Sequence, residues 1–424
     1  MKKSITVVGL GYIGLPTAVM FANHGHQVHG VDINEKAVDM INHKKLHIEE
    51  KGLQEMLNTA VDAKSFTAAT SPKKADVFII AVPSPIKVDK TADLEYVRSA
   101  TASIVPYLEK GNLVILESTV PPRTVEDVMM PELVKSGLKI GEELFVSHSP
   151  ERVIPGRVFE ELISNDRIIG GINPESATMT TELYKSFVQG TMHETDATTA
   201  ELVKVMENTY RDVNIAFANE LAKIAQRIGV NVWEAIKLAN FHPRVNIHQP
   251  GPGVGGHCIA VDPWFLVELD PEQAQMIHLA RKTNDGMPSY TAQLTAEILN
   301  AKGIKDPKVA VFGLAFKGNI DDMRESPSVD VVNQLLIRQL NIKAYDPHIK
   351  ESKLPDQTQS QEDALKDASA ILILTAHDEF MTLNPELIKD QMTNHIIIDT
   401  KNIIDREKWE AAGFDVYLLG DSKN

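Results

Sequence analysis

The order of hydrophobic and polar positions predicts alternating strands and helices. Ile5-Thr6-Val7-Val8 suits one buried strand, a glycine-rich turn follows, and residues 15–24 carry apolar side chains at helical spacing. Gln27-Val28-His29-Gly30-Val31 reads as a second strand ending in Asp32, which completes a strand–helix–strand unit. Short apolar runs at 77–82, 113–116 and 144–146, separated by helical stretches, predict further buried strands and a doubly wound parallel sheet.

The pattern changes at Thr198. From there to Ile228 apolar residues recur at helical spacing with no glycine or proline, and Gly229 ends the run, which predicts one unusually long helix. Helical spacing returns at 232–239, 273–282 and 289–301. Alternation then resumes, with strands predicted at 309–313, 342–345, 370–374, 395–398 and 415–418 and a helix at 328–339. The fold class expected is α/β: two Rossmann-like doubly wound domains joined by a central helical region with one long helix. The expected boundaries are 1–196, 197–302 and 303–424, the long helix offering a surface for dimerisation.

Charge narrows the partners. The 424 residues carry 43 Lys and Arg against 58 Asp and Glu, a net charge of −15, and no long basic run, which argues against nucleic-acid binding. An apolar stretch behind Lys2 and Lys3 resembles a signal peptide or membrane span, but Gly9, Gly11, Gly14 and Pro16 break it into strand, turn and helix. No membrane association is expected. The single cysteine, Cys258, excludes an intrachain disulfide and a Cys-rich zinc module, and fits a reducing cytoplasm.

Three places carry chemistry. Gly9-Leu10-Gly11-Tyr12-Ile13-Gly14 follows a strand and opens a helix, where glycines admit a pyrophosphate and the helix N-terminus offers N–H donors. Asp32, 18 residues after Gly14, suits a ribose diol and would repel a 2′-phosphate, so NAD is the expected cofactor. On the long helix, Lys204, Asn208 and Arg211 are spaced by four and three and share one face. Such a stripe suits a substrate with hydroxyls or phosphates; the plainer alternative is a solvated face paired with Glu201 and Glu207. Finally, Gly251-Pro252-Gly253-Val254-Gly255-Gly256-His257-Cys258 sets the only thiol behind four glycines, with Asp262 close by. A flexible exposed loop of this kind suits a nucleophilic cysteine. A buried inert cysteine is one competitor, and a metal site from His242, His248, His257 and Cys258 another, though the spacing matches no tight zinc pattern and no metal is expected.

These residues, with Ser149-Pro150-Glu151-Arg152 and Phe316-Lys317 followed by Arg324-Glu325-Ser326, occur in the order found in the UDP-glucose/GDP-mannose dehydrogenase family, which the whole chain resembles. His257 and Ile259 on either side of the cysteine resemble the branch acting on UDP-N-acetyl-D-mannosamine rather than UDP-glucose; UDP-N-acetylglucosamine is the alternative. The resemblance implies a four-electron oxidation of a sugar C6 alcohol to a carboxylate by two NAD, through a thiohemiacetal and a thioester on Cys258. It implies that Lys204 moves the proton and stabilises the alkoxide, helped by Asn208 and by a water on Asp262, and that Glu151 activates the hydrolytic water. It places NAD at Tyr12, Ile13, Asp32, Ser84, Thr119 and Arg324. It places the UDP-sugar, in the C-terminal domain and the centre, at Arg152, Val153, Lys204, Asn208, Arg211, His242, Arg244, Gly255, Phe316 and Lys317. His242 and Arg244 would reach the site from the neighbouring subunit of a homodimer. Two other classes compete: a two-electron β-hydroxyacid dehydrogenase, which needs no Cys258, and a non-catalytic NAD-binding redox sensor.

Overall fold

The structure, a computed structural model, describes residues 2–48, 50–154 and 156–421. The chain folds into two compact units, Met1–Glu207 with Trp264–Leu269, and Asn208–Pro263 with Asp270–Asn424.

The first unit holds a sheet of β1 (Ser4–Val8), β2 (Gln27–Val31), β3 (Phe66–Ala69), β4 (Val77–Ile80), β5 (Asn112–Leu116), β6 (Leu144–His148), β7 (Arg167–Gly171) and β8 (Met192–Asp196). Their order across the sheet is β3-β2-β1-β4-β5-β6-β7-β8. Neighbours run parallel except β6 and β7, which pair antiparallel through Ser147↔Gly171 and His148↔Gly170. The second unit holds β9 (Lys308–Phe312), β10 (Asn341–Tyr345), β11 (Gln357–Thr358), β12 (Ala370–Ile373), β13 (Ile396–Asp399) and β14 (Asp415–Leu418), all parallel, in the order β11-β10-β9-β12-β13-β14.

The apolar runs are continuous because both faces of each sheet are covered. Val7 and Ile79 pack into one core with Phe21, while Phe78 and Ile80 enter the core on the other face with Ile104. In the second sheet Val309 and Val311 face one core, and Ala310 and Phe312 the other. Each fully buried aliphatic side chain contributes roughly 1.5–3 kcal/mol relative to its exposed state.

Four strands escape the sequence pattern: β3, β7, β8 and β11. β8 is Met-His-Glu-Thr-Asp at a sheet edge with no buried position, so solvent removes the apolar signal. β7 begins with a buried arginine and ends in two glycines packed on backbone: a Cβ on Gly170 would lie 2.5 Å from the Asp196 carbonyl oxygen. The long helix spans Ala197–Ile228, 32 residues, and Gly229 follows at φ +89°. Asn231 starts the next helix, Val232–Ala239, by accepting from the Trp233 and Glu234 amides. Helices Asp262–Leu269, Gln275–Asp285 and Met287–Ala301 complete this helical stretch.

Candidate functional site

In the first unit the chemistry starts at the C-terminal end of β1. Gly9 has φ +94°, and a Cβ on Gly14 would collide with the Gly9 carbonyl, so both glycines are needed to turn the chain tightly against its own helix. A Cβ on Gly11 would meet nothing within 4 Å, which leaves that backbone open to a pyrophosphate. Asp32 Oδ2 accepts the Leu10 amide at 2.9 Å and Oδ1 accepts the Asn34 amide at 2.9 Å, which fixes the carboxylate beside the turn with lone pairs to spare for a diol. The residues present therefore fit NAD. Beyond β4 and β5, Ser84 Oγ donates to the Thr119 carbonyl at 2.5 Å and Ser118 Oγ to the Val82 carbonyl at 2.6 Å, tying the two loops together. The Tyr12 hydroxyl donates to Glu50, whose carboxylate also accepts the Gly156 and Val158 amides.

Past β6 lies Glu151. It is buried, takes the Arg152 amide on Oε1 at 2.8 Å, and pairs through Oε2 with the buried Arg167 guanidinium. Arg152 itself pairs with Glu207 at 2.6 Å, and Val153 packs on the apolar core. His148, the last residue of β6, is a fully buried imidazole whose pKa burial lowers to about 3, so it is neutral at working pH.

Lys204 is buried on the long helix, one turn before the buried Asn208, and Arg211 donates to the Asn208 amide oxygen. The solvated-face alternative fails here. Glu201 is buried and accepts the Arg123 and Val125 amides at 2.5 and 2.8 Å, while Glu207 is engaged with Arg152. Burial raises the Glu201 pKa to about 8, against the pull of those two amides.

In the second unit Asn208 Nδ2 donates to Asp262 Oδ2 at 2.5 Å, with both groups buried. The Asp262 amide donates to the Cys258 carbonyl at 2.8 Å, so the thiol sits one turn ahead of the helix Asp262–Leu269. Cys258 is exposed, which excludes the buried inert cysteine. The glycines before it, however, are not there for flexibility. A Cβ on Gly255 would lie 2.5 Å from Pro327 and 3.0 Å from the Phe316 Cβ, and one on Gly256 would lie 2.8 Å from the Phe316 ring. The Gly256 amide donates to the Glu325 carbonyl at 3.3 Å. The loop is thus pressed against segment 316–327, a contact only glycine permits, and the expectation of a flexible loop is corrected.

The same segment carries Arg324, which chelates Asp322; His257 Nε2 also reaches Asp322 Oδ2, at 3.0 Å. Burial opposes the charge on Asp322, but these donors hold its carboxyl well below the ordinary carboxylate range. Lys317 is exposed, and so are His242 and Arg244, whose amide meets the His242 ring at 3.3 Å. Among the described residues the group able to hold a metal is His348, His377 and Glu379, not the four residues weighed from the sequence. There His377 Nδ1 accepts the Asn319 amide, so Nε2 donates to Asp346 and neither nitrogen is spare.

The structure brings together Asn208, Arg211, Asp262 and Cys258 in one unit, and Glu151 and Arg152 in the other. Sequence reasoning missed Arg167, Glu117 and Tyr184, which lie behind Glu151. A buried arginine on a strand has no pattern that marks it.

Three regions match the UDP-glucose/GDP-mannose dehydrogenase family: its NAD binding domain over residues 3–188, its central domain over 198–286 and its UDP binding domain over 310–406. The chain is 50% identical over 429 residues to the UDP-N-acetyl-D-mannosamine dehydrogenase of Methanocaldococcus jannaschii, covering 100% of this chain and 97% of that protein. It is 46% identical over 420 residues to the NDP-N-acetyl-D-galactosaminuronic acid dehydrogenase of Ralstonia solanacearum, covering 95% and 96%. The solved UDP-D-ManNAc dehydrogenase from Pyrococcus horikoshii aligns with a TM-score of 0.92 at 42% identity, over 99% of this chain and 100% of that one.

Proposed function

The chain belongs to the UDP-glucose/GDP-mannose dehydrogenase family, and from that membership we propose that it oxidises C6 of UDP-N-acetyl-D-mannosamine to UDP-N-acetyl-D-mannosaminuronate with NAD. The observation that carries the mechanism is the exposed thiol of Cys258 one turn ahead of Asp262. NAD, when bound, accepts a hydride from the sugar carbon in each of two oxidations.

Lys204 takes the C6 hydroxyl proton and steadies the alkoxide as charge develops, with Asn208 and a water on Asp262 beside it. The resulting aldehyde has no readily lost hydride until a nucleophile adds, and the Cys258 thiolate supplies that bond as a thiohemiacetal. Loss of the second hydride leaves a thioester, which Glu151 opens by taking a proton from water. Arg152, Val153, Arg211, Gly255, Phe316 and Lys317 line the nucleotide-sugar site, where cations answer the diphosphate although the chain is acidic overall. Gly9, Gly11, Tyr12, Ile13, Gly14, Asp32, Ser84, Thr119 and Arg324 hold the cofactor.

The three family regions support a division into 1–196, 197–302 and 303–424. Leu202, Met206, Tyr210, Phe217, Ile224 and Ile228 leave an exposed apolar row on the long helix, which supports a homodimer with His242 and Arg244 offered to the neighbouring site. Among the described residues no helix is long and apolar enough to cross a membrane, and with the lone thiol this supports a cytoplasmic setting. The Ralstonia relative supports a second reading, another acetamido sugar as substrate.

The test is purified protein with NAD and a panel of UDP- and GDP-sugars. Two NADH per UDP-N-acetyl-D-mannosamine consumed, with uronate as product, is the expected result. One NADH per substrate would indicate the two-electron dehydrogenase, and NAD binding without turnover of any sugar the redox sensor.

A further inference from the structure

Behind Glu151 lies a buried polar chain that the scheme above does not use. Arg167 Nη2 pairs with Glu151, Nη1 donates to Ser149 Oγ at 3.0 Å, and the same Nη1 lies 3.5 Å from Glu117. The guanidinium carbon sits 4.1 Å from the centre of the Tyr184 ring, and the Tyr184 hydroxyl donates to Glu117. All five side chains are buried, with residue exposures of 8% or less. Desolvating four ionisable groups, Glu151, Arg167, Glu117 and Tyr184, to this degree is costly unless each is paired or hydrogen-bonded, and here each is held by another of the set.

The sheet explains how it is built. Among the described residues β6 and β7 are the one antiparallel pair of sheet strands, with Ser147 opposite Gly171 and His148 opposite Gly170. Extending that register three residues beyond the ladder sets Glu151 opposite Arg167. Because β7 and β8 run opposite to β1–β6, a cation reaches the back of the carboxylate, while Oε1 is held by the Arg152 amide.

We propose that Arg167 is a positioning residue for the hydrolytic half-reaction: it aims the Glu151 carboxylate and carries its counter-charge, and Glu117 and Tyr184 lock it from behind. This rests on Glu151 acting as base in thioester hydrolysis. In that step a water oxygen bonds to the thioester carbon and one water proton passes to Glu151. The C–S bond then breaks with its electron pair going to sulfur, which leaves as thiolate, and the acid formed loses its remaining proton to solvent. No change of oxidation state occurs. One guanidinium between two carboxylates is neutral overall when Glu117 carries a proton. Burial does raise the Glu117 pKa to about 7, against the opposing pull of Arg167 and with Glu151 adding to the rise; Tyr184 and Thr17 also face it. As Glu117 ionises, it competes with Glu151 for Arg167.

The test follows the two half-reactions separately, with UDP-N-acetyl-D-mannosamine and NAD. Glu151→Gln comes first: a sugar adduct on Cys258, seen by intact mass, is expected, and its absence would overturn the role of Glu151 itself. Given that adduct, Arg167→Met is expected to keep the NADH burst while slowing thioester hydrolysis about 100-fold, with the adduct accumulating and Arg167→Lys restoring part of the rate. Wild-type hydrolysis in a folded, NAD-binding Arg167→Met protein overturns the proposal, as does an equal slowing of burst and hydrolysis. Should Arg167→Met not fold, Glu117→Gln decides: an inflection near pH 7 in the wild-type hydrolysis rate should vanish in it, and its persistence overturns the proposal.

Discussion

The Asn208 amide donates to the Asp262 carboxylate at 2.5 Å, and this contact joins the long helix to the turn that bears Cys258. Both groups are buried, so neither has water as an equal substitute. Asp262→Ala should therefore let the thiol drift. Displacement of a reacting group by about 1 Å costs on the order of 100-fold in turnover, and that loss is expected in kcat with NAD affinity within about 3-fold of wild type. Asp262→Asn, which retains a hydrogen-bonding group, should lose less. Steady-state kinetics beside an NAD fluorescence titration separates these outcomes, and equal losses in both variants would count against a positioning contact.

Cys258→Ser should form no uronate. The hydroxyl is a far poorer nucleophile near neutral pH, so acid production is expected to fall about 1,000-fold or more while NAD binding persists. Product chromatography reads the first quantity and calorimetry the second. Full acid production by the variant would contradict a covalent thioester.

Lys204→Ala should lose turnover rather than cofactor. Removing a proton-transfer group costs about 100- to 10,000-fold in rate, and the loss is expected in kcat with the NAD dissociation constant little changed. A comparable loss of NAD affinity would instead assign Lys204 to the cofactor.

Gly255→Ala tests the packing of the cysteine loop. Its Cβ would lie 2.5 Å from Pro327 and 3.0 Å from the Phe316 Cβ, so the loop must shift. Overpacking of this sort costs about 1–3 kcal/mol, which thermal unfolding will register, and the moved thiol should cut turnover further. Gly11→Ala, at a backbone with open space, should spare the melting temperature and weaken NAD binding.

Glu201 should make stability depend on pH. Its folded pKa is raised, to about 8, so its stabilising contribution is complete below the ordinary carboxyl value and is lost as pH climbs through 8. The melting temperature should fall between about pH 5 and pH 9, and Glu201→Gln should flatten that decline. An unchanged slope in the variant would mean that Glu201 ionises as an ordinary carboxyl.

By itself the sequence determined the two α/β halves, the long helix, the glycine turn with Asp32, and the lone thiol after four glycines. These are encoded locally: strand and helix periods, turn glycines and a residue at a strand end are all set within a dozen or so positions, and the burial of both sheet faces repeats the same apolar signal in strand after strand. Tertiary structure alone decided the rest. Glu201 is a buried acceptor for loop amides, not a surface ion-pair partner; Gly255 and Gly256 serve close packing on Phe316; and Arg167 stands behind Glu151 because β7 pairs antiparallel with β6. Such pairings join side chains from separate segments, and a buried charge takes whichever partner the packed strands bring within reach, which no local pattern of residues records.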